Sequence, residues 1–125
     1  MARYGVTLLR VVLGIVFVMH AYLAVVIFGP AGMIDYQVKN GIPFPEIATW
    51  YLILAHGLGG VFLVLGIFPR WAALANVPVM FGALAFVHLR NGFWAHKSGY
   101  EYVLVLLVAS LALSMTGGGA LTLKR

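Results

Sequence analysis

Long apolar runs separated by short polar segments are the feature that most constrains this chain. A helix needs about 20 mainly apolar residues to cross the hydrocarbon core of a bilayer. Four runs approach that length and together occupy most of the 125 residues. Unpaired backbone groups are costly in hydrocarbon, so each run must be helical. The runs predict membrane spans at about 6–28, 49–68, 71–89 and 100–116.

The connections between the runs are short, which predicts antiparallel neighbours. The expected fold class is therefore an all-α, integral membrane four-helix antiparallel bundle, built as a single transmembrane domain over residues 1–125. Between spans 1 and 2, Met33, Ile34 and Val38 recur at helical spacing among charged residues, which predicts a short interfacial helix. Pro69 and Arg70 predict a tight turn before the third span.

The chain has few charged residues, and this excludes several classes of protein. Charged side chains make up 9% of the chain, against roughly 25% in soluble domains. The net charge of +5 is scattered singly, which argues against a nucleic-acid partner and suits the lipid bilayer. There is no cysteine to form disulfides or thiol-ligated clusters. The first run is too long for a signal peptide and lacks a convincing cleavage site, so it is interpreted as a span.

Basic and aromatic residues indicate the orientation of the chain. With four spans both termini lie on one side, and bulky aromatics fall at both predicted interfaces. Cytoplasmic loops are enriched in Lys and Arg. The terminal side is expected to hold five basic residues against three opposite, which favours cytoplasmic termini. The five are Arg3, Arg10, Arg70, Lys124 and Arg125, and the three are Lys39, Arg90 and Lys97.

Each predicted span sends one titratable side chain toward the outer half of the bundle, as judged from a rise of about 1.5 Å per residue. Such groups usually face the bundle interior and pair there, because their insertion is costly. These groups are His20, His56, His88 and Glu101. With Asn91 and Tyr102 they form the predicted ligand-binding set.

This set supports three interpretations. In the first, histidines and a carboxylate hold a small or lipophilic ligand such as a quinone headgroup, between aromatic walls such as Tyr22, Phe93 or Tyr102. In the second, the same groups sit at the interface or join helices structurally. In the third they bind a metal or haem, although no histidine pair has ligand spacing within one helix. No catalytic residue and no metal ligand is assigned.

Arg10 lies about one turn inside the inner boundary of the first span, where its long side chain can reach the headgroups. Asn76 is expected at a similar depth on the third span. We therefore predict Asn76 as an interior partner of Arg10.

The chain resembles the DoxX family of small four-helix membrane proteins. Four stretches carry the resemblance, namely Leu8 to His20, Gly59 to Arg70, His88 to Phe93 and Gly99 to Tyr102. The most specific parts are Asn-Gly-Phe after the third span and Gly-Tyr-Glu-Tyr opening the fourth. Where relatives commonly carry Glu in the second span, this chain has His56.

The resemblance implies a redox role. Some relatives are similar to the small membrane subunit of thiosulfate:quinone oxidoreductase. The leading hypothesis is a membrane subunit of a redox assembly, in the cytoplasmic membrane of a bacterium or archaeon, that binds a quinone or lipid-like ligand noncovalently. Its partners would be other membrane or redox subunits, and it would be at most one subunit of a quinone-linked oxidoreductase. The alternatives are a non-catalytic structural or assembly subunit and a small transporter.

Overall fold

The computed structural model describes all residues 1–125 and is helical, without a β-sheet. Two of the five α-helices continue directly into a π-helical segment, Leu23–Ile27 after the first and Ala83–His88 after the fourth. Short 3₁₀ turns at Leu89–Asn91 and Ala95–Lys97 lead into the last helix. The helices are α1 (Ala2–Tyr22), α2 (Gly29–Lys39), α3 (Pro45–Leu65), α4 (Pro69–Gly82) and α5 (Glu101–Thr116).

Three helical segments are long and apolar enough to cross a bilayer, which confirms the first three predicted spans as apolar helices. They are Ala2–Ile27, Pro45–Leu65 and Pro69–Asn91. Helix α5 is equally apolar in character but has 16 residues. At about 1.5 Å per residue it is several ångströms shorter than a typical hydrocarbon core of about 30 Å. A short helix of this kind can span where the bilayer thins locally.

The predicted short helix between the first two spans is present as α2. Pro30 in its first turn has a φ suited to helix initiation, and Gly41, at φ 75°, ends it in a left-handed conformation. The helix turns Met33 and Gln37 inward. On its exposed face Asp35 and Lys39 form an ion pair of 3.0 Å.

The predicted turn at Pro69 and Arg70 is wrong by about three residues. Pro69 is the first residue of α4. At this position the missing N–H of proline costs no hydrogen bond, because the first amides of a helix have no partner within it. The chain instead reverses at Gly66 and Phe68, whose φ values of 75° and 41° are both left-handed. A short helix-to-helix turn therefore precedes the proline, and Arg70 becomes a first-turn residue of α4.

Helices α1 and α3 approach closely at a pair of glycines. A Cβ atom added to Gly14 would lie 2.7 Å from the carbonyl oxygen of Gly60, and one added to Gly60 would lie 2.9 Å from that of Gly14. Further along, Ala21 lies against Gly57, so the two helices run in opposite directions. Helices in lipid have no hydrophobic drive to associate, and small residues let them gain van der Waals contact instead.

The interior is filled by small and medium apolar side chains from α1, α3, α4 and α5. Phe17, Leu63, Ala73 and Leu113 are completely buried in it. Many large apolar side chains point outward, including Leu8, Leu58, Phe81 and Val105, each more than half exposed. Outward apolar side chains around the whole circumference are typical of helices solvated by lipid.

The segment after α5 folds back over the ends of α1 and α3, and Arg10 holds it there. The Arg10 guanidinium is 1% exposed and donates to the carbonyl oxygens of Gly118 (2.7 Å), Ala120 (3.2 Å) and Leu121 (3.1 Å). The predicted pairing of Arg10 with Asn76 is therefore wrong. The hydrogen bonds of Arg10 go to backbone carbonyls and not to a side chain, and its buried Nε has no partner.

The glycine contact predicts a stability difference between two matched substitutions. Gly60→Ala should lower the free energy of unfolding by about 1–3 kcal/mol, since the new methyl overlaps the α1 backbone. Gly82→Ala is the control, because nothing lies within 4 Å of a Cβ there. Unfolding in mixed micelles with increasing dodecyl sulfate measures both. Equal stabilities would contradict the close approach.

The Arg10 contacts predict local loosening in Arg10→Met. Hydrogen bonds from a charged group contribute about 1.5–3 kcal/mol, so amide exchange in 117–125 should accelerate at least tenfold. The amides of Leu123 and Lys124 report this directly, because they donate to Leu65 and Gly66. Arg90→Met, at the other end of the molecule, is the control. Unchanged exchange in 117–125 would show that Arg10 does not hold the segment.

Candidate functional site

A mainly apolar pocket of about 340 Å³ lies at the end of the molecule that carries α2 and the loop 89–99, called here the loop end. Four polar side chains reach it from four different helical segments: His20 from α1, His56 from α3, His88 from the π-helical end of α4, and Tyr102 from α5. We call it the histidine pocket. Most of its remaining wall is apolar, as is usual for sites that bind organic ligands.

His20 and His88 are fixed in the same way. The Nδ1 atom of His20 lies 2.9 Å from the Val16 carbonyl oxygen, and Nδ1 of His88 lies 2.8 Å from the Ser98 carbonyl oxygen. A carbonyl only accepts, so each Nδ1 carries the proton. When uncharged, each ring therefore keeps an unshared pair on Nε2. Neither Nε2 has a partner within the protein.

His56 is the buried member of the group and joins α3 to α4. Its Nδ1 donates to Oδ1 of Asn76 at 2.6 Å, and its ring stacks on Phe17 with centroids 4.7 Å apart. The Asn76 amide nitrogen donates in turn to the carbonyl oxygens of Ala55 and Ala72. These bonds satisfy the two amide protons of Asn76 and fix which side of the amide faces His56.

Aromatic rings connect these groups across the pocket. The rings of His20 and His56 meet edge to face at 6.2 Å, and the ring of Tyr102 lies 6.3 Å from that of His20. The Tyr102 hydroxyl makes no hydrogen bond in the protein. Of the three aromatic walls proposed from the sequence, only Tyr102 lines the pocket, and Tyr22 and Phe93 do not.

Asn91 and Glu101 do not line the histidine pocket, in contrast to the prediction. Glu101 accepts a 2.7 Å hydrogen bond from the Ala95 amide, and Asn91 donates to the carbonyl oxygens of Val87 and Ser98. Both hold the loop 89–99 in shape. They thereby position Ser98, whose carbonyl oxygen also orients His88. Sequence depth alone could not separate a side chain that caps a loop from one that enters the pocket.

Several pocket residues were not predicted as part of the site. Met33 and Tyr36 on α2 line it, as do Leu23 and Ala83 in the two π-helical segments. Helical spacing marks Met33 as an inward residue of α2, but it does not say which cavity that face covers. Single π-helical turns within α-helices often occur at functional sites, and here both border this pocket.

A larger apolar pocket of about 560 Å³ adjoins the histidine pocket. It extends between α2, α3 and α4 toward Phe44, Ile47 and Phe86, and its lining is mostly apolar. Six residues border both cavities. They are Met33, Tyr36, Leu52, Val79, Ala83 and His88. The two cavities together offer a polar compartment and an apolar one side by side. No group of three or more His, Cys, Asp or Glu side chains has the geometry of a metal site.

The His56 and Asn76 bond predicts energetic coupling between α3 and α4. A double-mutant cycle of His56→Ala and Asn76→Ala should give a coupling of about 0.5–1.5 kcal/mol, the range of interhelical hydrogen bonds in membranes. The matched cycle of His20→Ala with Asn76→Ala should give almost none, because His20 bonds only within its own helix. Dodecyl sulfate unfolding measures both. Equal couplings in the two cycles would contradict the bond.

Comparison with known proteins agrees with the resemblance seen in the sequence. The chain is 29% identical to CatD of Bacillus subtilis (strain 168) over 119 residues, which is 95% of this chain and 84% of CatD. The name of that protein describes it, provisionally, as an oxidoreductase. No solved structure matches the chain significantly. The DoxX family model matches residues 5–89, and with its long apolar helices the chain is therefore a multi-pass membrane protein of the DoxX family.

Proposed function

We propose that this protein is a membrane subunit that binds a quinone-like or lipid-like molecule in the histidine pocket. One observation carries the proposal: His20, His88 and Tyr102, from three different segments, present unpaired polar atoms to one mainly apolar cavity. Tyr102 is 44% exposed and His20 is exposed as well, so a ligand can reach these atoms. Hydrocarbon offers them no hydrogen bonds, and their convergence therefore favours a bound partner.

The fixed histidine tautomers indicate which chemistry the pocket favours. With Nδ1–H held by a carbonyl, uncharged His20 and His88 offer Nε2 as an acceptor. They would accept hydrogen bonds from the hydroxyl groups of a quinol or an alcohol. A protonated ring would instead donate from Nε2 to a quinone carbonyl. Oxidation of a quinol releases two protons and two electrons, and the histidines would take up the protons while a redox partner took the electrons.

The adjoining apolar pocket supports a ligand with a hydrophobic tail. His88 borders both cavities, so a headgroup next to it would direct its tail between α2 and α3. Phe44 and Ile47 at the far end are 75% and 71% exposed. The tail would thus leave the protein through an apolar opening into the acyl chains. A ligand of this shape can enter sideways from the bilayer without crossing water.

The proposal includes the arrangement in the membrane. The four spans would form an antiparallel four-helix bundle, with α2 at the interface and both termini on the cytoplasmic side. Arg3, Arg70, Lys124 and Arg125 lie opposite the loop end, which carries Lys39, Arg90 and Lys97. This small excess fits the enrichment of basic residues in cytoplasmic loops. The likeness to CatD supports a place in a redox assembly with other membrane subunits.

A second candidate is a structural or assembly subunit without a ligand. The His56 and Asn76 bond favours it, because Nδ1 of His56 and the amide group of Asn76 are used to join two helices. The same reasoning applies to Glu101 and Asn91, whose bonds shape a loop. In that case the unpaired groups of His20 and His88 would meet only water or lipid headgroups.

Tyr102→Phe tests the ligand proposal with little risk to the fold. The change removes one hydroxyl, which has no partner in the protein, so stability should not fall. Loss of a single hydrogen bond, about 1 kcal/mol, should weaken binding roughly fivefold. Titration of a soluble short-tailed benzoquinol analogue into the purified protein in nanodiscs, followed by tyrosine and tryptophan fluorescence, measures the affinity.

Tyr22→Phe is the matched control, because Tyr22 is half exposed and does not line the pocket. His20→Ala should weaken binding at least as much as Tyr102→Phe. Saturable binding that weakens in the pocket variants and persists in Tyr22→Phe supports the proposal. Absence of saturable binding by the native protein, or equal weakening in all variants, would favour the structural subunit.

A further inference from the structure

A second pocket, of about 380 Å³, lies at the opposite end of the molecule from the histidine pocket. It is bordered by the start of α1, the start of α4 and the segment 117–122, and its lining is mainly polar. Three guanidinium groups line it, those of Arg3, Arg70 and Arg125. We call it the arginine pocket. Its position and its charge both separate it from the proposed ligand site.

No acidic side chain neutralises these arginines. The chain has three acids, Asp35, Glu46 and Glu101. The first pairs with Lys39, the second stands at the start of α3, and the third accepts from a loop amide, all at the loop end. The three arginines are exposed, and their like charges create a positive potential that attracts anions to the arginine pocket.

The donors of the arginine pocket are only partly used. The Nη1 atom of Arg70 donates to the carbonyl oxygens of Ser114 and Met115, which leaves Nε and Nη2 unpaired. Arg3 makes no side-chain hydrogen bond. Guanidinium groups match the oxygens of phosphate in geometry as well as charge. The pocket thus offers several N–H groups of the kind that bind a tetrahedral oxyanion.

The glycine segment adds backbone donors to the same pocket. Gly118 and Gly119 border it, and their backbone amides donate to no acceptor in the protein. Gly117 and Gly119 have φ values of 83° and 74°, a conformation that glycine adopts without strain. A Cβ added to Gly118 would lie 2.5 Å from Cγ of Pro69. The segment can lie this close to α4 only because it is glycine.

The depth of the arginine pocket agrees with a ligand in the headgroup region. Phe68 and Trp71 line it, and Trp71 is 70% exposed. Exposed tryptophan at the end of a membrane helix is typical of the level at which lipid headgroups lie. An anion bound there would be in reach of both the bilayer surface and the aqueous phase.

We propose that the arginine pocket binds a phosphate group through Arg3, Arg70, Arg125 and the amides of Gly118 and Gly119. The phosphate comes either from the headgroup of an anionic phospholipid or from a phosphate anion in solution. A bound headgroup would neutralise the basic cluster and tie the segment 117–122 to one leaflet. The site does not depend on the ligand proposed for the histidine pocket.

The test compares two variants that remove one positive charge from the same end of the protein. Arg3→Gln removes a guanidinium group that lines the pocket and makes no hydrogen bond within the protein. Lys124→Gln removes an ammonium group that lies outside the pocket. The proteins are placed in phosphatidylcholine nanodiscs with increasing phosphatidylglycerol, and native mass spectrometry counts the phosphatidylglycerol retained. Inorganic phosphate is titrated separately at constant ionic strength, and the thermal midpoint is recorded.

Removal of one arginine should weaken binding roughly fivefold, since each basic residue near a membrane surface contributes about 1 kcal/mol. Lys124→Gln should leave binding nearly unchanged. Selective loss of phosphatidylglycerol in Arg3→Gln supports a lipid headgroup, and selective loss of the phosphate-induced shift supports a soluble anion. No binding of either probe, or equal losses in both variants, overturns the proposal. Tyr22→Phe, whose residue lines neither pocket, should bind both probes as the native protein does.

Discussion

Helices α1 and α3 touch backbone to backbone at Gly14 and Gly60, and the rest of the molecule is arranged around this contact. In lipid the contact depends on packing alone, because acyl chains solvate apolar side chains as well as a partner helix does. The antiparallel approach brings His20 and His56 to one end, with their rings 6.2 Å apart. At the other end it places Arg10 beside Gly66, where the segment after α5 crosses both helices.

The protein is thus polar at two ends and apolar between them. At the loop end, aromatic and imidazole groups with single unpaired atoms line a mainly apolar cavity. At the other end, arginines line a mainly polar cavity of similar volume, which Gly118 and Gly119 also border. The ligands proposed for the two sites differ accordingly: an uncharged lipophilic molecule with hydroxyl or carbonyl groups in the first, and an anion in the second. The buried apolar core between them keeps the two sites chemically separate.

The three histidines of the site differ in what they can contribute. His56 is buried, and its Nδ1–H donates a hydrogen bond to Asn76, so its main role is to join α3 and α4. His20 and His88 bond only to backbone carbonyls and keep Nε2 for a ligand. A substitution at His56 therefore tests the fold, whereas one at His20 or Tyr102 tests binding. His56 fits the structural interpretation made from the sequence, whereas the proposed ligand binding rests on His20, His88 and Tyr102.

The sequence by itself determined the helical class, the first three apolar spans, the short helix after the first span, and the family. These follow from hydropathy, segment length and local motifs, which need no knowledge of neighbours. Depth along each span also predicted that His20, His56, His88 and Glu101 lie toward the same end of the bundle. Only the tertiary structure decided that Asn91 and Glu101 shape a loop, that Asn76 serves His56, and that Arg10 holds the segment after α5. The physical reason is that the position of a residue along its span fixes only its depth in the bundle. The direction in which its side chain points, and the path of the segment after α5, depend on which hydrogen-bond donors and acceptors meet once the helices pack.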